Sequence, residues 1–345
     1  MLTAVTASGV VFAFNGFQAV VNLGGNAKNP GRAIPLALVG ALSLGLVIYL
    51  ALQIAFLGSV PPERLAEAGG WSGVDFASPF ADLAKLLMLH WVVTMLQFGA
   101  FISPSGANIG NVASSAYLAQ NLAETGFFPK KIAEVHPRYG VARPAMWLNL
   151  GFSVLLLVTI GHSWEALASV VSAAMVVSYL MGPIAVGVFR RTKPHLPRPF
   201  RLPAAGVLCP LTFAFAACAL YWSKWPNTGK VALLTLVSVP IAAVVLRRRG
   251  ERSLRRHFAP AWWMVAFLLW TALLSALGSK EFGGHGVIPG GFDIALVAMS
   301  ALGFYFWAVR AGVRAHEAGL PDPDPVLDAA APAVPGPRRP ETVDA

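Results

Sequence analysis

Three observations make this sequence an all-α polytopic membrane protein. Of its 345 residues, 56% are hydrophobic and only 12% charged, with a mean hydropathy of +0.62; soluble domains carry about 25% charged residues. The apolar residues gather into nine runs of about 20 residues, the length that a bilayer's hydrocarbon core demands of a helix. Most of the 26 lysines and arginines lie in the short segments flanking these runs rather than along one face. The formal charge of +10 therefore points to membrane topology and not to nucleic acid.

Taken in order, the predicted spans are Leu2–Leu23, Ile34–Leu57, Leu83–Ser105 (continuing as helix towards Gly126), Pro144–Ile160, Ala166–Phe189, Ala204–Trp222, Val231–Leu246, Trp262–Leu277 and Phe292–Val309. Met181-Gly182-Pro183 predicts a kink in the fifth, because proline removes a backbone donor. Tryptophans at 71, 164, 222, 225, 262 and 263 stand near span ends, where an interfacial belt places them. The stretch 312–345 is rich in Pro, Ala, Asp and Val and reads as a disordered cytoplasmic tail.

With the Lys28 turn placed in the cytoplasm and the spans alternated, nineteen basic residues fall in inner loops. The outer side holds five: Arg64, Lys85, Lys224, Lys230 and Lys280. That asymmetry orients the chain, with the N-terminus outside, the C-terminus inside and the plasma membrane as the expected location. Met1 is followed at once by apolar helix with no positive n-region, so Leu2–Leu23 makes a poor signal peptide. An outside start with nothing before it predicts further elements upstream.

Several classes of chemistry find no support. Cys209 and Cys218 share one apolar segment, nine residues apart and hence about 13 Å along a helix, too far for a disulfide. There is no CxxC, HExxH or EF-hand loop, so neither metal nor cofactor is expected. Histidines 90, 136, 162, 195, 257, 285 and 316 are dispersed and make no cluster with a carboxylate. An enzyme is therefore not expected.

The first span carries the chemistry: Phe12–Pro35 reads FAFNGFQAVVNLGGNAKNPGRAIP. Asn15-Gly16 interrupts the apolar run, and a polar, glycine-rich stretch leads to the Lys28-Asn29-Pro30 turn, a helix stop and orientation anchor. Irregular backbone at bilayer depth survives only where protein or a watery cavity surrounds it, so a break here marks a binding site. Close helix packing through glycine is the alternative. The third span carries Ser103, Ser105, Asn108, Asn111, Ser114 and Ser115. Asn108, Asn111 and Ser115 share one helical face, and such groups either pair with neighbouring helices or line a permeation path.

The pattern F-A-[FY]-x-G-F followed by K-N-P-x-R-x-I-P resembles the sixth transmembrane helix of the amino acid–polyamine–organocation (APC) permeases. Phe101–Pro144, FISPSGANIGNVASSAYLAQNLAETGFFPKKIAEVHPRYGVARP, is similar to that family's eighth helix and the loop after it. The likeness covers residues 1–190; beyond them it is topological, and a fourteen-helix branch that includes bacterial aspartate–proton symporter-like proteins fits best.

The resemblance implies the second inverted repeat of a leucine-transporter-like fold over 1–190 (family helices six to ten). Four accessory helices would follow over 191–311, and the chain would be N-terminally truncated, lacking helices one to five. It also implies secondary-active, proton-coupled amino acid transport by the full-length form. In this fold the first and sixth helices break at the midplane to hold substrate. Phe12, Ala13, Phe14, Asn15, Gly16, Phe17 and Gln18 are then the substrate-binding residues: Gly16 permits the break, the carbonyls of 12–15 receive the ammonium, and Phe14 or Phe17 packs on substrate or closes the outer gate. Many relatives carry an acid where Gln18 stands. Ser103, Ser105, Asn108 and Asn111 are path or ion-linked candidates, Ser103 and Ser105 lying where sodium-coupled relatives bring hydroxyl ligands. The expected partners are an amino acid, a proton and the lipid bilayer. A non-transporting scaffold that retains the permease helices is the competing reading.

Asp82, Lys85, Glu165 and Asp293 lie at span ends, and no Asp, Glu, Lys or His sits deep in a span. Proton coupling needs such a group or a substrate that itself titrates. The purified 345-residue chain in liposomes is accordingly expected to show no substrate uptake; robust accumulation of a labelled amino acid would overturn the reading of an incomplete site.

Overall fold

The computed structural model describes residues 13, 14, 16, 29–74, 76, 78–124, 128–138, 140–160, 164–195, 198, 200–248 and 258–318. All regular structure among them is helical: α1 Pro30–Ser59, α2 Pro62–Glu67, α3 Pro79–Leu86, α4 His90–Glu124, α5 Arg143–Ile160, α6 Trp164–Tyr179, α7 Met181–Thr192, α8 Ala205–Tyr221, α9 Asn227–Arg248, α10 Trp262–Leu277 and α11 Phe292–Glu317. Single 3₁₀ turns occur at Trp71–Gly73, Lys130–Ala133, Ala259–Ala261 and Lys280–Phe282.

By length and composition four helical segments can cross a membrane: Pro30–Ser59, Leu167–Thr192, Ala259–Leu277 and Phe292–Glu317. Arg143–Thr159 and Ala205–Tyr221 are apolar but shorter, and α4 and α9 are helical over most of two further expected spans. Most of Leu2–Leu23, and 319–345 of the expected tail, lie outside the described residues. α11 itself runs on through Glu317, into the stretch assigned from sequence to that tail.

Pro30 opens α1 at its first position, where a missing N–H costs nothing; the carbonyl of Asn29 accepts from the N–H groups of Arg32 and Ala33 at 3.3 and 2.9 Å. The helix is apolar on every side and none of its residues is buried, as suits a segment whose surroundings are lipid or further protein.

The third expected span is not one rod. α3 ends at Leu86, and Met88 takes φ +58°. Leu89 N–H donates to the carbonyl of Ala84 at 2.8 Å and Met88 N–H to that of Lys85 at 3.0 Å. This is the 6→1 and 5→2 pairing of a Schellman stop, after which α4 restarts at His90. At the other end of α3, Asp82 accepts from the N–H of Ser78 at 2.9 Å and from Lys85 Nζ at 3.0 Å. These bonds hold its carboxyl below the ordinary value, so their contribution is present above the usual carboxylate range and is lost as pH falls through the depressed pKa.

Where the kink is expected, α6 gives way to α7 at Leu180, which keeps helical dihedrals of φ −62° and ψ −28°. Pro183 has no N–H to return to the carbonyl of Tyr179, one turn back.

The buried core belongs to the C-terminal helices. α8 packs along α11, α7 and α6, and Phe213, fully buried, meets the rings of Phe267, Tyr305 and Trp263 at 5.3, 5.9 and 6.5 Å. α7 and α11 touch through glycine: a Cβ on Gly187 would stand 2.9 Å from Val309 Cγ2, and one on Gly312 would stand 2.6 Å from Val188 Cγ2. Small residues of this kind let helices approach in lipid, where no hydrophobic force draws them together.

Asp293 begins the last helix with no exposed surface. Its carboxylate accepts from Tyr221 Oη at 2.6 Å and from the N–H groups of Ile294, Gly291 and Ser279 at 2.8, 2.9 and 3.2 Å. Position in sequence places it at a span end; the structure makes it the bond between α8, the 278–291 loop and α11. Tyr221→Phe is expected to lower unfolding free energy by about 1–3 kcal/mol, since it leaves a buried acceptor short of a partner. Thermal unfolding in detergent checks this, and an unchanged midpoint would remove the contact from the stabilising set.

Candidate functional site

Of the seven residues assigned to a substrate site, Phe12, Asn15, Phe17 and Gln18 lie outside the described residues; Ala13, Phe14 and Gly16 do not. Ala13 is helical, whereas Phe14 and Gly16 are in turns. Gly16 has φ +112°, which no residue of a right-handed helix adopts and which only glycine adopts at little cost. A Cβ there would meet nothing within 4 Å, so conformation rather than crowding calls for glycine.

α1 lies against this turn. Tyr49 Oη donates to the carbonyl of Ala13 at 2.8 Å, and the two rings of Phe14 and Tyr49 meet edge-on with centroids 5.3 Å apart and planes at 84°. One tyrosine thus holds both a backbone oxygen and a side chain of the predicted site. Tyr49 is the residue that sequence reasoning missed. The available signal was chemical: it is the one tyrosine in the apolar stretch of α1, and a phenol at bilayer depth needs an acceptor.

Two hydroxyls of α4 bond within their own helix. Ser105 Oγ donates to the carbonyl of Phe101 and Ser115 Oγ to that of Asn111, each at 2.7 Å, the usual recourse of serine inside a helix. Between Ser103 and Ser105, Pro104 denies the carbonyl of Ala100 its intrahelical donor. Ser103, Asn108 and Asn111 are exposed. Asn108 sits at a cavity of about 330 Å³, walled by Val112, Ala116 and Tyr117 of α4 and by Val141, Ala142 and Met146. The described residues around Gly16 lie against α1, and Asn108 borders the cavity shared with α5 and the loop before it.

That loop is the second motif, and its wording has a local cause. The carbonyl of His136 accepts from Gly140 N–H at 2.9 Å, and His136 N–H donates to Val141 at 2.9 Å. His136 Nδ1 accepts from the N–H of Arg138 at 3.2 Å, and Gly140 supplies φ +64°. His-Pro-Arg-x-Gly is a closed turn, and its histidine is structural. No group of three or more His, Cys, Asp or Glu able to hold a metal occurs among the described residues.

Comparison with known proteins agrees with the sequence motifs. The family model for amino acid permeases matches residues 1–246. The chain is 44% identical over 314 residues to the glutamate/serine transporter AimA of Bacillus subtilis, covering 91% of this chain and 58% of the relative. It is 31% identical over 313 residues to the aspartate-proton symporter of the same organism, covering 90% and 60%. To the polyamine transporter PUT1 of Oryza sativa it is 29% identical over 233 residues, covering 67% and 41%. The chain thus spans less than two thirds of the length of these relatives. No solved structure matches.

Tyr49→Phe keeps the ring on Phe14 and removes one hydrogen bond. It is expected to cost about 0.5–1.5 kcal/mol, whereas Gly16→Ala should cost about 1–3 kcal/mol through backbone strain. Unfolding in detergent orders the two, and a harmless Gly16→Ala would contradict the positive φ.

Proposed function

This chain belongs to the amino acid permease family, and we propose that it serves proton-coupled transport of an amino acid across the plasma membrane, with acidic and small hydroxylated amino acids as its substrate class. The observation that carries this is the 44% identity, over nine tenths of the chain, to a glutamate/serine transporter; the likeness to an aspartate-proton symporter points the same way. The residues that bind substrate are Phe12 to Gln18. The positive φ of Gly16 supports a helix broken at that point, where carbonyls leave their intrahelical bonds and face a substrate ammonium. The second five-helix repeat over 1–190, an outer N-terminus and an inner C-terminus belong to the same reading, and the charge asymmetry of the loops supports it.

Substrate chemistry bears on coupling. No Asp, Glu or Lys sits deep in a predicted span, and Gln18 stands where an acid is common. An acidic amino acid brings its own titratable carboxyl, so a proton can enter the membrane on the cargo rather than on a relay of the protein. For glutamate or aspartate the side-chain carboxyl of the bound substrate is then the proton carrier; serine brings no such group, so this route of coupling is confined to the acidic substrates.

Counterflow in proteoliposomes, using the full-length protein that contains this sequence, tests both parts. Labelled glutamate, aspartate and serine are expected to exchange at least about tenfold faster than leucine or lysine, a difference of about 1.4 kcal/mol in the transition state. An inward proton gradient is expected to drive accumulation of glutamate, and a protonophore to abolish it. Equal exchange of leucine and glutamate would end the substrate assignment; accumulation indifferent to the protonophore would end the coupling assignment.

A further inference from the structure

The charged end of α11 borders an open groove of about 780 Å³. One wall is α11 itself, contributing Gly303, Phe306, Trp307, Arg310 and Arg314; the other side includes Pro260 in the 3₁₀ turn before α10. Phe306, Arg310 and Arg314 follow one another at four-residue spacing and so rise along one face of the helix, about 6 Å apart. The apolar run of α11 ends at Val309. The groove therefore passes from aromatic to basic lining at the point where the helix leaves the hydrocarbon.

The two arginines have charge to offer. Arg190 of α7 donates to the carbonyl of Leu202 at 2.7 Å, and Arg198 to those of Phe189 and Lys193 at 2.9 and 2.6 Å, so these two are engaged with helix and loop carbonyls. Arg310 and Arg314 form no ion pair with another described residue, both are exposed, and no described residue lining the groove is acidic. In sequence, Arg247, Arg248, Arg249, Arg252, Arg255 and Arg256 come shortly before the turn at Ala259. Gly303 leaves a notch below: a Cβ there would meet nothing within 4 Å. Phe306 and Trp307 are 45% and 47% exposed, aromatic surface of the kind that sits at headgroup level.

We propose that this groove binds the headgroup of an anionic phospholipid, with Arg310 and Arg314 on the phosphate and Phe306 and Trp307 against the junction of glycerol and acyl chain. Guanidinium pairs suit phosphate oxygens by geometry as well as charge. A phosphodiester joined to an acyl chain satisfies both linings at once, which a soluble anion does not. The site is distant in the chain from Gly16 and its occupancy is independent of which amino acid is carried.

The test is native mass spectrometry of the full chain in detergent, titrated with phosphatidylglycerol or phosphatidylcholine. Phosphatidylglycerol is expected to be retained preferentially, and Arg310→Gln with Arg314→Gln to weaken it by about fivefold for each arginine removed. Inorganic phosphate is expected not to displace the lipid. Should the double variant fail to fold, Gly303→Leu reads the same site with both charges in place, because it adds bulk to the groove wall at a position where a Cβ meets no other group; it is expected to reduce retention too. Equal retention of the two lipids, undiminished phosphatidylglycerol on the folded double variant or on Gly303→Leu, or displacement by free phosphate, would each overturn the proposal.

Discussion

Inside a bilayer every backbone N–H and C=O must be paired within the protein, and the informative places in this chain are those where the helical ladder is interrupted. Gly16 leaves right-handed geometry at φ +112°, and the neighbouring Ala13 carbonyl bonds to the Tyr49 phenol. Pro104 and Pro183 each withhold a donor from the turn before them. At Met88 the ladder stops in an orderly way, each late N–H finding a carbonyl of α3. The two interruptions differ in kind: at Gly16 the backbone turns through a conformation open to glycine, and at Met88 the chain ends one helix before the next begins.

The same constraint separates two regions of unlike character. α1 buries none of its residues, and its outward leucines and valines are at ease only in lipid or against other helices. From α6 onward the helices enclose a true core around Phe213, tied at one end by the carboxylate of Asp293. Burial of a charged group is tolerable there because four donors converge on it. The region matched to the permease family, residues 1–246, runs into this bundle and supplies part of its core, including Phe213 and Tyr221.

Much of this was legible in the sequence. Nine apolar runs, the loop charges and the helix boundary before Met181-Gly182-Pro183 follow from composition, length and the missing proline donor. The motif around Gly16 was legible as a break because glycine after asparagine in an apolar run is a conformational statement. The remainder depended on tertiary partners. Tyr49 meets Ala13 across 36 residues, and nothing in either segment encodes the other. Met88 occupies a left-handed stop usually marked by glycine, so the apolar sequence read straight through it. Ser105 and Ser115 looked like groups in need of neighbours, yet the nearest acceptor was the carbonyl one turn back. Asp293 sat at a span end in sequence, and only the fold shows that the 278–291 loop covers it.

The reciprocal glycine contacts of α7 and α11 act like two dowels in one joint. Val309 enters the space that Gly187 leaves, and Val188 the space that Gly312 leaves. A slide of either helix along its axis would drive a branched side chain into backbone at both points together. The two contacts together oppose relative translation of α7 and α11.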